Sequence, residues 1–337
     1  MISVTLSEIA EGLAQNDRFH IYIHAHPDAD TLGSGVALYS ILREMGKKAL
    51  IVSNDPLPAK LSFISSRISG DAFCFGGETL AVKGFANAFA VSVDTAAPEQ
   101  LKGNLGDCAE DIRFGIDHHV INTLICEKLF LDAKASSTGE IIYQLASLCG
   151  QKSGKDLLTK DAAESIFAAI SYDTGCFKYA NTTARTHAVA SELLTRGVNA
   201  EEINRRLFDV KTKKQMLVDQ IVYSNMLFFA DGQVALTHLS LSELAQAEAS
   251  HEDADHVAQI LCQLVEVRVG ITMRENSIKG KEPISYRFSV RANDGTDVAE
   301  LCAVFGGGGH KKAAGCTVEG TLDQARERFL AELYKRL

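Results

Sequence analysis

The 337-residue chain has eight cysteines but no CxxC pair, its two nearest cysteines being Cys302 and Cys316. That absence argues against zinc-ribbon and thioredoxin-type motifs and leaves reduced, mostly buried thiols, as in a cytoplasmic protein. No basic segment followed by an apolar one opens the sequence, so no signal peptide is expected. No uninterrupted apolar run is long enough for a bilayer-spanning helix, and no membrane association is expected. Positive charge is also in short supply. The net charge is −9, so a long duplex held on a broad basic face is not expected, whereas a small anion at a local positive site is compatible with it. Repeats and low-complexity tracts are missing. What is present is 46% hydrophobic and 23% charged residues, an ordinary globular composition with length enough for two domains.

Residues 19–24 read as an apolar strand and HAHPDAD (24–30) as a loop. Residues 31–45 read as a helix with Thr31 as its N-cap, and 49–53 as the next strand. Strand–loop–helix–strand marks a parallel α/β sheet, in which ligands collect beyond the carboxyl ends of strands. The same placement recurs. Residues 89–93 run into Asp94, and 113–116 into Asp117-His118-His119. Helices are expected over 138–149 and 160–172, with Asp173 following the second. Residues 184–230 read as mostly helical, the charged stretch 205–214 being the solvated face of a linker helix. A second α/β pattern begins near Asp231, with strands over 234–239, 265–273 and 286–290 and a short helix over 297–305. Four glycines and His310 follow, then a closing amphipathic helix over 322–337. The expected organisation is an α/β parallel-sheet domain over 1–190, a helical linker over 191–230 and a smaller α/β domain over 231–337.

Four separate segments thus deliver carboxylates and imidazoles at element ends: His24 with Asp28 and Asp30, then Asp94, then the 117–119 triplet, then Asp173. Carboxylates and imidazoles together suit a pair of divalent ions such as Mn²⁺. A two-metal centre activates water and clamps a phosphoryl group, which points to phosphoester hydrolysis. Taken singly, the motifs have plainer readings. Asp28 and Asp30 either face one way from an extended loop towards adjacent ions or form a polar turn with an Asp cap. Gly33 and Gly35 either admit phosphate to helix N–H groups or allow tight helix packing. A lone Asp94 is commonly a cap or turn residue. The triplet is harder to explain by packing: one His can ligate metal, the other can contact substrate, and Asp117 can orient an imidazole. The segment SSTGE (136–140) reads first as a helix start, and Phe177 and Tyr179 as core residues before base-stacking ones. In the second half, glycines 306–309 let backbone approach a ligand closely. His310, with Lys311 and Lys312, is placed to bind a phosphate or terminal carboxylate, and Arg291, in a locally basic stretch, to contact phosphate bidentately.

The motifs HAHPDAD, VDTA, DHH, SYDTGCFKYANTT and GGGGHKKAAG, in this order over nearly the whole chain, resemble the DHH–DHHA1 phosphoesterase superfamily. The resemblance is closest to its nano-RNase/3′-phosphoadenosine 5′-phosphate (pAp) phosphatase group. It implies a catalytic domain with two Mn²⁺, with Mg²⁺ or Co²⁺ as alternatives. His24, Asp28, Asp94 and Asp173 would hold one ion, and Asp30, Asp94, His118 and Asp173 the other, so that Asp94 and Asp173 bridge. His119 would face the scissile phosphate. Arg291, Gly307, Gly308, Gly309 and His310 would bind the remote phosphate and nucleotide, with the active site in a cleft between the domains. A homodimer is expected from the habit of the superfamily. Ala29 stands where Gly is usual and His26 where Asn is frequent, and Ser-Val-Arg291-Ala lacks a frequent second Ser. The implied activity is hydrolysis of very short oligoribonucleotides to 5′-mononucleotides, and of pAp to AMP, by a hydroxide bridging the two cations. Hydrolysis of pApA or cyclic di-AMP is the sibling alternative. Pyrophosphatases share the catalytic half but differ in the second domain. A non-catalytic nucleic-acid-binding scaffold is the alternative of another class; such scaffolds usually lose ligands, and all seven expected positions are intact here.

Overall fold

A computed structural model describes residues 1–75, 85, 87–101, 112–254, 256–276 and 284–337. They divide into two compact units, Met1–Val210 and Lys211–Leu337.

The first unit is built on seven strands: β1 (Ile2–Ser3), β2 (Arg18–Tyr22), β3 (Lys48–Ser53), β4 (Phe73–Phe75), β5 (Phe89–Val93), β6 (Phe114–Asp117) and β7 (Lys128–Leu131). Their order is β1-β7-β6-β5-β2-β3-β4, and every pairing is parallel. The central strands are continuous apolar runs because both sheet faces are covered. One face carries a core that includes Ile21, Ile51 and Val91; the other carries Tyr22, Leu50 and Val52. Helices α1 (Leu6–Gln15), α2 (Ala29–Glu44), α3 (Ser62–Ser65), α4 (Thr138–Ser153), α5 (Lys160–Asp173), α6 (Ala184–Thr195) and α7 (Ala200–Asn204) complete the unit. From β2 the chain adds β3 and β4 on one side, whereas β5, β6 and β7 lie on the other. The sheet therefore reverses its order between β2 and β5, which opens a crevice at their carboxyl ends.

Helix α2 begins two residues before the expected start. Its cap is Asp28, not Thr31: Oδ1 of Asp28 accepts from the backbone N–H of Asp30 at 2.9 Å and of Thr31 at 3.0 Å. A carboxylate satisfies these free donors and the positive helix end better than a threonine hydroxyl does. Asp28 and Asp30 are therefore not alternate residues of an extended loop, since Asp30 lies in the first helical turn. Helix α5 is likewise one residue longer than expected and ends on Asp173 itself. The two α2 glycines serve packing. A Cβ on Gly33 would lie 2.5 Å from the Ser165 carbonyl oxygen of α5, and one on Gly35 would lie 2.9 Å from Ile23 Cγ2. Gly139 of α4 makes the same concession, at 2.5 Å from the Ala169 Cβ. Small residues on α2, α4 and α5 thus let three helices meet closely beneath the crevice.

Residues 191–230, expected to be a helical linker, are largely helical but divided between the two units, and they end in a strand over Leu227–Phe229. Helices α6 and α7 and their loop pack on the first core through Leu193, Val198 and Ile203. Helix α8 (Lys213–Ser224) packs in the second unit through Val218 and Val222. Arg205 and Arg206 pair with the exposed Glu202, as a solvated face would.

The second unit contains β8 (Leu227–Phe229), β9 (Val234–Leu239), β10 (Val269–Glu275), β11 (Ser285–Ala292), β12 (Gly308–His310) and β13 (Ala313–Glu319), in the order β12-β13-β11-β10-β9-β8. Only the β9–β10 pairing is parallel. Strand β10 starts four residues later than expected, because Val265 is 96% exposed in the preceding loop. Helices α9 (Leu241–Gln246), α10 (Val257–Ile260), α11 (Val298–Ala303) and α12 (Leu322–Leu333) accompany the sheet. Phe288 of β11 stacks on Phe329 of α12 with centroids 4.4 Å apart, and Phe305 stacks on Phe329 at 5.4 Å. Gly308 and Gly309 of the glycine tract lie in the edge strand β12.

All seven described cysteines are free and five of them are buried; Cys108 lies outside the described residues. No helix among the described residues is long and apolar enough to cross a membrane.

The close α2–α5 contact gives a stability prediction. Replacing Gly33 by Ala adds about 1 kcal/mol of helix propensity but drives a methyl group into a backbone carbonyl, an overpacking cost of about 1–3 kcal/mol. Gly33→Ala is expected to lower the urea midpoint with little change in slope. A raised midpoint would mean that the helices separate without cost.

Candidate metal centre

The crevice at the β2–β5 switch collects the candidate ligands. His24 follows β2, Asp94 follows β5, Asp117 ends β6, and His118 and His119 come directly after it. His24 Nε2 lies 3.8 Å from Asp28 Oδ1 and 3.6 Å from Asp94 Oδ2. His118 Nε2 lies 3.6 Å from Asp30 Oδ2, 3.7 Å from Asp94 Oδ1 and 3.1 Å from Asp173 Oδ2. Two ligands that share one small divalent ion at about 2.1 Å stand about 3–4 Å apart, so these separations suit metal coordination. Three groups bring their ligand atoms within 4.8 Å of one another: His24 with Asp28 and Asp94; Asp30 with His118 and Asp173; and Asp94 with His118 and His119. Asp94 turns Oδ2 to the first group and Oδ1 to His118. Of the two carboxylates expected to be shared, Asp94 meets both imidazoles, whereas Asp173 enters only the group with Asp30 and His118.

The third group is weaker than its distances imply. His119 Nδ1 is 2.8 Å from Asp117 Oδ1, and a nitrogen engaged in that bond is not free for a metal. Asp117, fully buried, also accepts from Asn122 Nδ2 at 2.6 Å, while the same nitrogen reaches the Thr95 carbonyl at 2.9 Å. Asp117 thereby orients the His119 ring and leaves its Nε2 as the open position. His26 turns away: its side chain is 95% exposed, and its backbone N–H donates to Asp55 Oδ2 at 2.8 Å.

Much of the positioning comes from groups that carry no metal-ligand signature. The segment 136–140 does start α4, with Ser137 as the cap. Its backbone also grips Asp30: Thr138 N–H donates to Oδ2 at 2.8 Å and Gly139 N–H to Oδ1 at 2.9 Å. Thr138 Oγ1 donates to Asp94 Oδ1 at 3.0 Å. Asn181 Nδ2 ties the Ser136 carbonyl to that of Asp173, at 2.9 and 3.1 Å. A Thr-Gly pair opening a helix was the available signal, since free N–H groups there bind anions. Asp94 itself has φ +55°, a left-handed conformation that costs a non-glycine residue about 1–2 kcal/mol. The bond from its N–H to the Ile116 carbonyl at 3.0 Å and the Thr138 contact hold it there. Phe177 is a core residue stacked on His187, as expected, whereas Tyr179 is half exposed.

Burial would lower the imidazoles of His24 and His118, but neighbouring carboxylates outweigh it. The hydrogen bond to Asp94 and the charges of Asp28 and Asp94 lift His24 to about 9. The bond to Asp173 and the charges around it lift His118 to about 10. Burial and the Asp94 charge push Asp30 up to about 8, and burial also raises Asp28, Asp94 and Asp173. Burial works against Asp117 too, yet its bond to His119 holds it below the usual carboxylate range, and the same bond raises His119. Four crowded carboxylates keep their charge only against cations, and a divalent ion supplies what protons otherwise must. The donor set therefore fits metal.

In the second unit, Arg291 of β11 pairs in register with Ala313 of β13, which pairs with His310 of β12. In-register residues share a face, so Arg291 and His310 flank a small residue on one side of the sheet. Gly307 and Gly309 are demanded by β13 itself: a Cβ would lie 2.2 Å from the Gly315 carbonyl oxygen and 2.5 Å from that of Ala313. Gly308, like Gly306, faces open space. Lys279 and Lys281, part of the basic stretch around Arg291, lie outside the described residues.

A parallel sheet with a carboxylate–imidazole centre at its switch point, followed by a mixed-sheet unit, defines an α/β metal-site protein of two domains. Residues 18–170 match the DHH family, N-terminal domain, and residues 231–337 match the DHHA1 domain. The chain is 31% identical to the bifunctional oligoribonuclease and PAP phosphatase NrnA of Thermus thermophilus, over 94% of this chain and 90% of that protein. It is 28% identical to the protein of the same name from Bacillus subtilis, over 97% of each. A crystal structure of an exopolyphosphatase-related protein from Bacteroides fragilis shares the fold, with TM-score 0.85 and 24% identity, covering 98% of this chain and 95% of that one. The chain belongs to the DHH–DHHA1 family of metal-dependent phosphoesterases.

The raised values predict proton release. At pH 7 the metal-free centre carries protons on His24, His118 and Asp30, whose values of about 9, 10 and 8 lie above that pH, and metal must displace them. Calorimetric titration of the metal-free chain with Mn²⁺ is expected to give heats that change with the buffer's ionisation enthalpy, and affinity that rises with pH. Heats independent of buffer would mean that the centre is already deprotonated.

Proposed function

We propose that this chain uses two Mn²⁺ ions to release 5′-nucleotides from very short RNA and to convert pAp to AMP. The observation that carries the reading is the pair of ligand groups joined by Asp94, with the open Nε2 of His119 beside them. The names of the relatives supply the substrate class. His24, Asp28 and Asp94 would hold one ion, and Asp30, Asp94, His118 and Asp173 the other. Two ions bound there supply an ionised water and positive charge for phosphoryl oxygens.

The remaining work falls to the chain's own groups. Asp117, ionised, keeps the proton on His119 Nδ1 and favours the charged ring. His119 then offers its Nε2–H to a non-bridging phosphate oxygen and offsets the charge that builds there during attack. Thr138 and Gly139 keep Asp30 and Asp94 fixed, so that little rearrangement accompanies the reaction. In the second unit, Arg291 and His310 bind the substrate's other phosphate through charge-assisted hydrogen bonds.

The purified chain with Mn²⁺ is expected to release AMP from pApA, short RNA and pAp, and to leave pyrophosphate untouched. Cyclic di-AMP and a longer RNA complete the panel, with products separated by chromatography. Asp94→Asn should abolish turnover while the chain stays folded, because asparagine tolerates positive φ. Pyrophosphate as the sole substrate, or full activity of the variant, would overturn the reading. His119→Ala should cost about 10²–10³-fold in kcat, while calorimetry still shows metal uptake.

A further inference from the structure

The outer face of β11 continues beyond Arg291. Its residues alternate, with Tyr286, Phe288 and Val290 in the core and Arg287, Ser289 and Arg291 on the opposite side. Across β13 the partners of those three are Thr317, Gly315 and Ala313. Gly308 of β12 continues the middle row and His310 the row of Arg291. The floor between the two arginines is thus made of small or hydroxyl-bearing residues, and a Cβ at Gly308 would meet nothing within 4 Å. On the β10 side the floor is walled: a Cβ on Gly270, the register partner of Arg291, would lie 2.9 Å from Leu261 Cβ and 3.0 Å from Cys262 Sγ.

Arg287 is exposed, and its guanidinium has no ion pair or hydrogen bond among the described residues. Arg274 of β10 stands directly opposite it in the register and donates to the His251 carbonyl at 3.2 Å. Glu319, one row further along β13, puts a negative charge at that end of the face. Arg287 and Arg291 are four steps apart along the strand, about 13 Å, too far for one phosphate to lie against both strand positions.

We infer that this face is a track for a short single-stranded oligonucleotide, Arg291 with His310 taking one phosphate and Arg287 the phosphate two nucleotides further along, a span that the two phosphates on the single nucleoside of pAp do not cover. The inference rests on the phosphate-binding role proposed for Arg291 and adds what that role lacks, a means of telling an oligonucleotide from a nucleoside bisphosphate. A ligand with phosphates enough to reach Arg287 gains a contact that pAp does not make.

Calorimetry on the full metal-free chain in EDTA, where no cleavage intrudes, tests the track with pApApA and pAp as probes. Wild type is expected to bind pApApA more tightly than pAp. Arg287→Ala should weaken pApApA about tenfold, leave pAp unchanged, and lower the slope of log affinity against log salt by about 0.7 for the trinucleotide. Arg287→Lys should restore the salt slope and part of the affinity. Equal losses for both ligands, or none for either, would overturn the track, as would equal affinities of wild type for the two probes. Arg291→Ala separates the two ideas. If it weakens neither ligand while Arg287→Ala still weakens pApApA alone, the Arg291 role fails and the Arg287 contact stands.

Discussion

Repulsion among buried carboxylates is the constraint around which the first unit is arranged. Asp28, Asp30, Asp94 and Asp173 converge at the carboxyl ends of β2 and β5, and Asp30 and Asp94 are almost fully buried. Two like charges 4 Å apart at a protein surface repel by about 4 kcal/mol, which is a large share of a domain's net stability. Part of that repulsion is offset by donors: the N-terminus of α4 against Asp30, Thr138 against Asp94, and the first turn of α2 against Asp28. The remainder calls for cations, and His24 and His118 stand between the acids for that purpose. The close meeting of α2, α4 and α5 at Gly33, Gly139 and Ala169 follows from the same need, because it brings the N-terminus of α4 and the last residue of α5 within reach of the crevice.

His119 is set apart from this cluster by one bond. With Nδ1 committed to Asp117, it joins the electrostatics of the centre without serving as a ligand. Adjacent histidines on one strand end thus take different tasks because one has a carboxylate behind it and the other has three in front. The second unit handles charge differently. Its cations lie on an open sheet face floored by glycine and alanine, where an anion can approach backbone, and its glycines are spent mostly on letting β12 and β13 come together.

The parallel sheet, the second α/β unit and the segments that carry the candidate ligands were legible in the sequence, because apolar runs ending in acids or imidazoles mark strand ends, whereas the order of the strands was not. The cap on α2 was not. Asp28 is both a candidate ligand and the cap, and a one-residue motif cannot show both uses, so Thr31 looked equally suitable. The holders of Asp30 were invisible for a different reason: Thr138 and Gly139 act through backbone N–H groups, which leave no side-chain signature. Gly33 and Gly35 stood equally for phosphate approach and for packing until the Ser165 carbonyl and Ile23 were placed beside them. The row that joins Arg291 to His310 depends on strand register across β13, and pattern along a single strand does not specify a partner's register.

The shared role of Asp94 is the point on which the proposed two-metal chemistry turns, and low-temperature electron paramagnetic resonance of the Mn²⁺-loaded chain reads it directly. Two ions held on one carboxylate are magnetically coupled, so a fully loaded sample should show the broadened spectrum of an exchange-coupled pair, and Asp94→Asn should lose it. A fully loaded wild-type chain that gives only the hyperfine pattern of isolated Mn²⁺ would contradict the shared carboxylate and the two-ion centre built on it.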